Sequence, residues 1–390
     1  MSKFSCITKK LGILSTVLLL IICSTQTTYA SEERITKIPE TAKIPETLTL
    51  CFAGDMNLDE NWCTTQTLDK QTNGIYDCIA PELITYMQQA DIFMPNNEFT
   101  YSERGTKLPN KAWTFRAHPS RVNIMKELGT DIVLLANNHC YDYGAISLYD
   151  TFDTLESADI PYVGAGRTLN DAIQPYYFQY GDLIIGYVAA SRAEKYKMTP
   201  QATDTTPGIL RCYDPSLYLE VIKQTANVAD IVIANIHWGT EGSHRVEQYQ
   251  RDLAYAMLDA GADAVIGSHP HVLQGIEYYD GKPIMYSLGN FWFNAKTMYT
   301  CLYELEIDVE TESVCGVRFI PAIQEHCKTN YPADLATQRK IYDFEQSISM
   351  DVAIDDDGYV HPVDNAGEQK SGLYCPLFCS PALSAICLPS

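Results

Sequence analysis

One arrangement recurs four times along this 390-residue chain and limits its fold more than any other feature. A helix ends, a small residue and an aspartate follow, then a short apolar run, then a polar tip. The copies are QQADIFMPNNEF, ELGTDIVLLANNH, NVADIVIANIHWG and DAGADAVIGSHPH. The runs are nearly continuous Ile, Val, Leu and Ala, as strands covered on both faces require. The helices before them are amphipathic, as in PSLYLEVIKQTANVA. Such helix–strand alternation builds an α/β fold. Asp91 leads to Glu98, Asp131 to Asn138 and Asp230 to His237, each seven residues on; Asp263 leads to His269 at six. These offsets predict that Glu98, Asn138, His237 and His269 lie just past the strand ends, at the carboxyl edge of one sheet. Open α/β sheets bind ligands at that edge. Asp55 closes the first strand, TLTLCFAGD, in the same way. Strand ends are often polar, but that alone does not account for carboxylates, an amide and imidazoles with no lysine among them.

The last tip reads AVIGSHPHVLQG. A proline pushes the residue before it out of the helical region. His269 is therefore expected to be extended, with His269 and His271 presented to one side. Oxygen and imidazole ligands together suit Mn, Fe or Zn, and Mg or Ca are compatible. A carboxylate between two such ions could bridge them, in the manner of two-metal phosphoryl chemistry. His139, beside Asn138, is placed to protonate a leaving oxygen. Asp142, in NNHCYDYG, can fix its tautomer. Glu241 in HWGTE reads equally as a substrate contact or a surface acid. Arg116 in TFRAHP reads equally as a contact for an anionic substrate or a partner of local acids. Asn290, in the turn of YSLGNFWF, is expected to shape the substrate pocket. No nucleophile elbow, P-loop or dinucleotide fingerprint occurs.

The N-terminal thirty residues run from Lys3, Lys9 and Lys10 through an apolar stretch, Leu11 to Cys23, to Ala30. This is the layout of a secretory signal, or of a short retained anchor, and it predicts a body outside the cytoplasm. The formal net charge of −21 argues against nucleic acid or anionic lipid as a partner. Eleven of the thirteen cysteines follow Ala30. An odd number there leaves one unpaired or bonded between chains. Cys375, Cys379 and Cys387 are expected in disulfides, with Cys315 or Cys327 as candidate partners, while Cys51 and Cys140 are expected to be buried thiols. Residues 31–46, with their repeated KIPET, read as an exposed linker. The main domain is expected over 47–325, and a helix with a Cys-containing tail over 326–390. QPYYFQYGDLIIGYVAASR and GIEYYDGKPIMYSLGNF read as hairpins of a second sheet.

FAGDMNL, NNEFTYSERG, FRAHPSRVNIMKELGTDIVLLANNHCYDYG, VGAG, HWGTE and DAGADAVIGSHPHVLQGIEYYDGKPIMYSLGNF occur in that order between Leu48 and Phe293. Together they resemble the CapA family of poly-γ-glutamate capsule biosynthesis proteins, which look like members of the calcineurin-like metallophosphoesterase superfamily. The resemblance implies a four-layer α/β/β/α sandwich of two mixed sheets with a site for two divalent ions at the sheet edge. It also implies work on an anionic polymer or a phosphorylated substrate, alongside a membrane-embedded polymer synthase complex. Asp55 falls on the first metal-binding Asp, and Glu98 on the bridging carboxylate. Asn138 and His139 fall on the Asn–His pair, ligand and acid. His237 falls on the isolated ligand, and His269 and His271 on the closing His-x-His. Asn57 stands where the superfamily carries a His, which makes it a neutral, weaker ligand. Glu98 replaces the usual bridging Asp, and Asn97 replaces a Leu common in the family. Two other functions stay open: a secreted metal-dependent phosphoesterase unrelated to capsule, and a non-catalytic module that grips polymer through metal or arginine.

Overall fold

The computed structural model describes residues 34–38, 46–194 and 198–363. Two mixed sheets pack face to face. One follows the order Lys328–Asn330, Ser313–Glu325, Met298–Asp308, Thr47–Met56, Ile92–Asn97, Val133–Leu134, Tyr162–Val163, with Asn290–Trp292 added beside Thr47–Met56. The other follows Ile35–Lys37, Tyr176–Tyr180, Leu183–Ser191, Ile231–His237, Ala264–Ser268, Lys282–Leu288, Leu273–Tyr279.

The four repeated units are therefore divided between two sheets, which corrects the expectation of one. The Asp91 and Asp131 units supply parallel strands to the first sheet, and the Asp230 and Asp263 units to the second. The polar tips still converge, because the facing sheets present their carboxyl edges to the same side.

The repeated aspartate has a local structural cause. Asp91 accepts the Thr49 N–H at 2.8 Å, Asp131 that of Phe93 at 2.8 Å, Asp230 that of Ile184 at 2.8 Å and Asp263 that of Val232 at 2.9 Å. In each pair the aspartate N–H also donates to the carbonyl of the same partner. Each aspartate thus caps the amino end of the neighbouring parallel strand and fixes its register.

Alternation along the strands assigns the faces. Ile185, Tyr187, Ile231 and Ile233 point between the sheets, where Tyr187 meets Phe52 with ring centroids 6.3 Å apart. Val188, Ala190, Val232 and Ala234 point outward, into a second core with Tyr218, Ile222, Leu253 and Met257. Those last four come from helices Ser216–Thr225 and Gln248–Asp259. On the other side, helices Pro81–Gln89, Val122–Glu127 and Ala145–Ser157 bury Leu83, Met87, Met125, Phe152 and Leu155. The result is the four-layer α/β/β/α sandwich.

Both predicted hairpins form in the second sheet, about Gly181–Asp182 and Asp280–Gly281. Ile35–Lys37, inside the expected linker, pairs in parallel with Tyr177–Gln179 at the sheet edge. The helix Leu335–Ile348, within the expected C-terminal segment, packs against Leu273–Tyr279 and Ser313–Glu325. Cys51 and Cys140 are buried thiols, and Cys315 and Cys327 carry no disulfide among the described residues. The N-terminal segment 1–30 and Cys375, Cys379 and Cys387 lie outside the described residues.

Candidate metal centre

Asp55 reaches the site through a close approach of two backbones. Its N–H donates to the Gly289 carbonyl at 2.9 Å. A Cβ on Gly54 would lie 1.9 Å from that same oxygen, so position 54 requires glycine. Asp55 ends up buried at the carboxyl edge, beside Glu98 from the strand Ile92–Asn97.

Two groups of ligand atoms form there, each within a 4.8 Å span: Asp55, Glu98 and His271, and Glu98, His237 and His269. Glu98 is common to both. In the second group His237 Nε2 lies 2.8 Å from Asn138 Oδ1 and 3.1 Å from His269 Nδ1. In the first, His271 Nδ1 lies 2.9 Å from Asp55 Oδ2. Apart from that contact, Asp55 Oδ2 has no hydrogen-bond partner among the described residues. Glu98 Oε1 has none either. It faces the Nε2 atoms of His237, His271 and His139 at 3.6, 3.8 and 3.9 Å. A buried carboxylate oxygen without a partner is costly. Atoms bound to one ion at about 2.0–2.2 Å stand roughly 3 Å apart. The orphaned carboxylate oxygens and the spacing of their imidazole neighbours fit two divalent cations that share Glu98.

The electrostatics agree. Burial, then the charge of Asp55, pushes the Glu98 carboxyl well above its ordinary range. Burial would also raise Asp55, but the His271 ring and the Asn96 amide hold it below its ordinary value. Burial opposes a charged His271, yet the Asp55 carboxylate prevails and raises its pKa. Burial and the other imidazoles push His237 well below its usual range and His269 to about 3. His237 Nδ1 meets Ser268 Oγ at 2.9 Å, which leaves Nε2 as the ligand atom.

His139 Nδ1 donates to Asp142 Oδ2 at 2.7 Å, so its Nε2 faces Glu98. Burial, against the pull of Asp142, lowers its pKa and keeps the ring neutral. Asp142 also accepts the Phe115 N–H at 2.7 Å and pairs with the buried Lys111 at 2.8 Å. Lys111 reaches Glu194 at 3.3 Å and donates to the Asn138 carbonyl. Glu194 in turn accepts from the Asn138 amide at 3.2 Å. Phe115 and Phe293 wall the cavity, with ring centroids 4.4 Å from His139 and 4.6 Å from His271.

Several expectations need correction. The HPH segment is not extended: His269 has φ 101° and His271 φ 59°. Both side chains still enter one cavity, each in a different ligand group, through backbone that non-glycine residues adopt at a cost of roughly 1–3 kcal/mol. Asn57 is buried, but its Oδ1 accepts the Asp59 N–H at 2.8 Å and its amide nitrogen is without a partner. That oxygen is thus engaged within its own turn. Asn290 is buried and accepts from His271 Nδ1 at 2.8 Å, so it steadies that ring. The Arg116 backbone N–H donates to Asp59 Oδ2 at 2.7 Å, but its guanidinium forms no ion pair among the described residues: it donates to the Arg104 carbonyl at 3.0 Å and lies 4.0 Å from the Tyr143 ring centre. Glu241 is exposed, close enough for its charge to act on Glu98 and His271. The sequence reading missed four residues. Asn96 donates to Asp55 Oδ1 at 2.7 Å and Glu98 Oε2 at 3.3 Å. With Ser268 it lies inside the quoted tips, where position past a strand end was the available signal. Lys111 and Glu194 lie in loops that carried none.

The description of a bacterial capsule synthesis protein, PGA_cap, matches residues 49–295. The PGA biosynthesis protein CapA of Bacillus subtilis is 32% identical over 255 residues, 64% of each chain. The capsule biosynthesis protein CapA of Bacillus anthracis is 31% identical over 257 residues, 64% of this chain and 60% of that one. The chain thus spans less than two thirds of either relative. A phosphatase from Mycoplasma pneumoniae is similar in structure, with TM-score 0.45 and 12% identity over 72% of this chain and 94% of that one. By its ordered motifs and the match over residues 49–295, the chain belongs to the bacterial capsule synthesis family PGA_cap.

Proposed function

We propose that this protein serves poly-γ-glutamate capsule assembly outside the cytoplasm, as a two-metal hydrolase of a phosphorylated intermediate. The carrying observation is the buried Glu98 carboxylate shared by two ligand groups. The names of the two Bacillus relatives support the polymer, and the signal-like N-terminus supports the compartment. Asp55, Glu98 and His271 would hold one cation; Glu98, His237, His269 and Asn138 would hold the other. Bound there, the pair would supply Lewis acidity toward phosphoryl oxygens. The chain's own groups do the rest. Asn96 orients both carboxylates. Asp142 fixes the His139 tautomer, so that Nε2 is the atom that takes up and returns a proton. Phe115 and Phe293 exclude water from one wall.

The test is reconstitution with Mn or Zn after chelation, followed by metal analysis and turnover of bis(p-nitrophenyl) phosphate. Two ions per chain and metal-dependent turnover are expected. His139→Ala should keep both ions and lose about 10²–10⁴-fold in rate. A chain that takes up no divalent ion would refute the proposal. A cell that lacks the protein and still coats itself normally would remove the capsule role.

A further inference from the structure

The cations near the carboxyl edge differ in what they are bonded to. Lys111 is enclosed by Asp142, Glu194 and a carbonyl. Arg211 is buried and donates to the carbonyls of Thr199 and Ala193 at 2.7 and 3.1 Å. Arg192 is unlike either. It follows Ser191, the strand residue in register with His237, and its backbone N–H donates to the His237 carbonyl at 2.8 Å. Its guanidinium lies 4.2 Å from the Tyr249 ring centre and 5.5 Å from that of Tyr213. Among the described residues no carboxylate comes within 4.0 Å of it. The chain has 49 acids against 28 lysines and arginines, which makes a half-buried arginine without an acid conspicuous.

Stacking explains how the side chain is held, and also what it leaves open. Aromatic rings take the faces of a guanidinium. Its five N–H donors point outward from the edge and match a carboxylate or phosphate in pairs. The rings are anchored to the metal centre. The Tyr249 hydroxyl accepts the Gly239 N–H at 2.9 Å, two residues past His237. The Tyr213 hydroxyl donates to the Glu194 carbonyl at 2.7 Å, and the Glu194 side chain holds Asn138. Arg192 is therefore fixed beside the His237–Asn138 half of the cavity, and its guanidinium edge has no hydrogen-bond acceptor among the described residues.

We propose that Arg192, clasped between Tyr213 and Tyr249, forms an oxyanion subsite that grips a carboxylate or phosphate group of the substrate edge-on. The identity of that substrate rests on the function proposed above; the subsite itself does not. It also offers an anionic ligand a point of attraction on an acidic molecule, the role that the sequence reading considered for Arg116.

Calorimetric titration of the full-length, metal-loaded protein tests this, with inorganic phosphate and a γ-linked glutamate oligomer as separate probes. Arg192→Ala should weaken binding of one or both about 10–100-fold, the range of a charge-assisted pair. Arg192→Lys should recover part of the loss, and Arg245→Ala, at an exposed arginine, should produce no loss. An effect on phosphate alone assigns a phosphoryl group; an effect on the oligomer alone assigns a side-chain carboxylate. Metal content and melting temperature are followed in parallel, so that a folding defect in the alanine variant is separated by the lysine variant. Wild-type affinity for both probes in Arg192→Ala, or no affinity for either in the wild type, would overturn the subsite. If two ions bind and Arg192→Ala changes nothing, the subsite falls and the hydrolase reading stands. If no ion binds but Arg192→Ala still weakens a probe, the reverse holds.

Discussion

The Asp55–His271 half of the cavity and the His237–His269 half share Glu98 and differ in almost everything else. The first half sets a carboxylate held below its ordinary pKa against an imidazole held above its own, an internal ion pair. The second holds two imidazoles pushed far toward neutrality and an amide oxygen. On the two-metal reading proposed above, a cation entering the first half would have to displace the proton of His271. One entering the second would meet neutral imidazoles, each with one nitrogen free of a proton. The first half would offer harder, charged ligands, and the second would suit metals that take imidazole, such as Zn, Mn or Fe. Similar residues at the carboxyl edges of two facing sheets thus make two unequal positions, and burial with neighbouring charge decides which is which.

The strongest way to break this comparison is to remove what the halves share. Glu98→Gln keeps the shape and removes the charge. Both ions should be lost, with affinity down by more than the roughly 100-fold that outer partners contribute. Metal analysis checks it, and retention of either ion would show that Glu98 does not join the halves. The next largest effects should divide the site. Asp55→Asn should lose one ion and His269→Ala the other, each leaving the remaining ion within about tenfold of its wild-type affinity. Loss of both ions in either variant would make the two halves one cooperative unit.

Those variants then isolate the halves for a pH titration. His271 has a raised pKa, so its proton persists to higher pH than that of a free histidine. In His269→Ala, metal affinity should fall as pH drops through that raised value, by about tenfold per pH unit while one proton is displaced per ion. In Asp55→Asn, the remaining imidazoles have lowered values, His269 at about 3, and affinity should hold to lower pH. Identical pH profiles in the two variants would contradict the asymmetry. The smallest effect is a refinement. Ser268→Ala leaves His237 Nδ1 with only the Asn96 amide, at 3.3 Å, and should weaken the His237 half by about tenfold, leaving the Asp55 half unchanged.

Much of this was legible in the sequence because strand ends repeat. Asp55, Glu98, Asn138, His237 and His269 follow apolar runs at nearly constant offsets, and the structure brings them together. Their division between two sheets was not legible. A parallel strand covered on both faces has the same apolar pattern in either sheet, and only long-range pairing decides the partner. The turn at His269–His271 was misread for a local reason. The proline rule excludes the helical basin but does not choose between extended and left-handed backbone. Lys111 and Glu194 stayed hidden because each gains its role from a loop path, with no periodicity to mark it. Asn57 was overread, since its oxygen is taken by the N–H two residues on, an interaction within its own turn.

The aspartate clamps have a consequence at the opposite end of the strands. Each one pins where a neighbouring strand begins, and the strand's length then sets how far its terminal group projects. The seven-residue interval works as a gauge block between a clamp on one side of the molecule and an imidazole or carboxylate on the other. Deleting one residue between Asp230 and His237 would retract the imidazole by about 3.3 Å and turn it to the wrong face. Insertions in the surface loops can be absorbed there, whereas a length change inside these intervals is transmitted undiminished to the carboxyl edge.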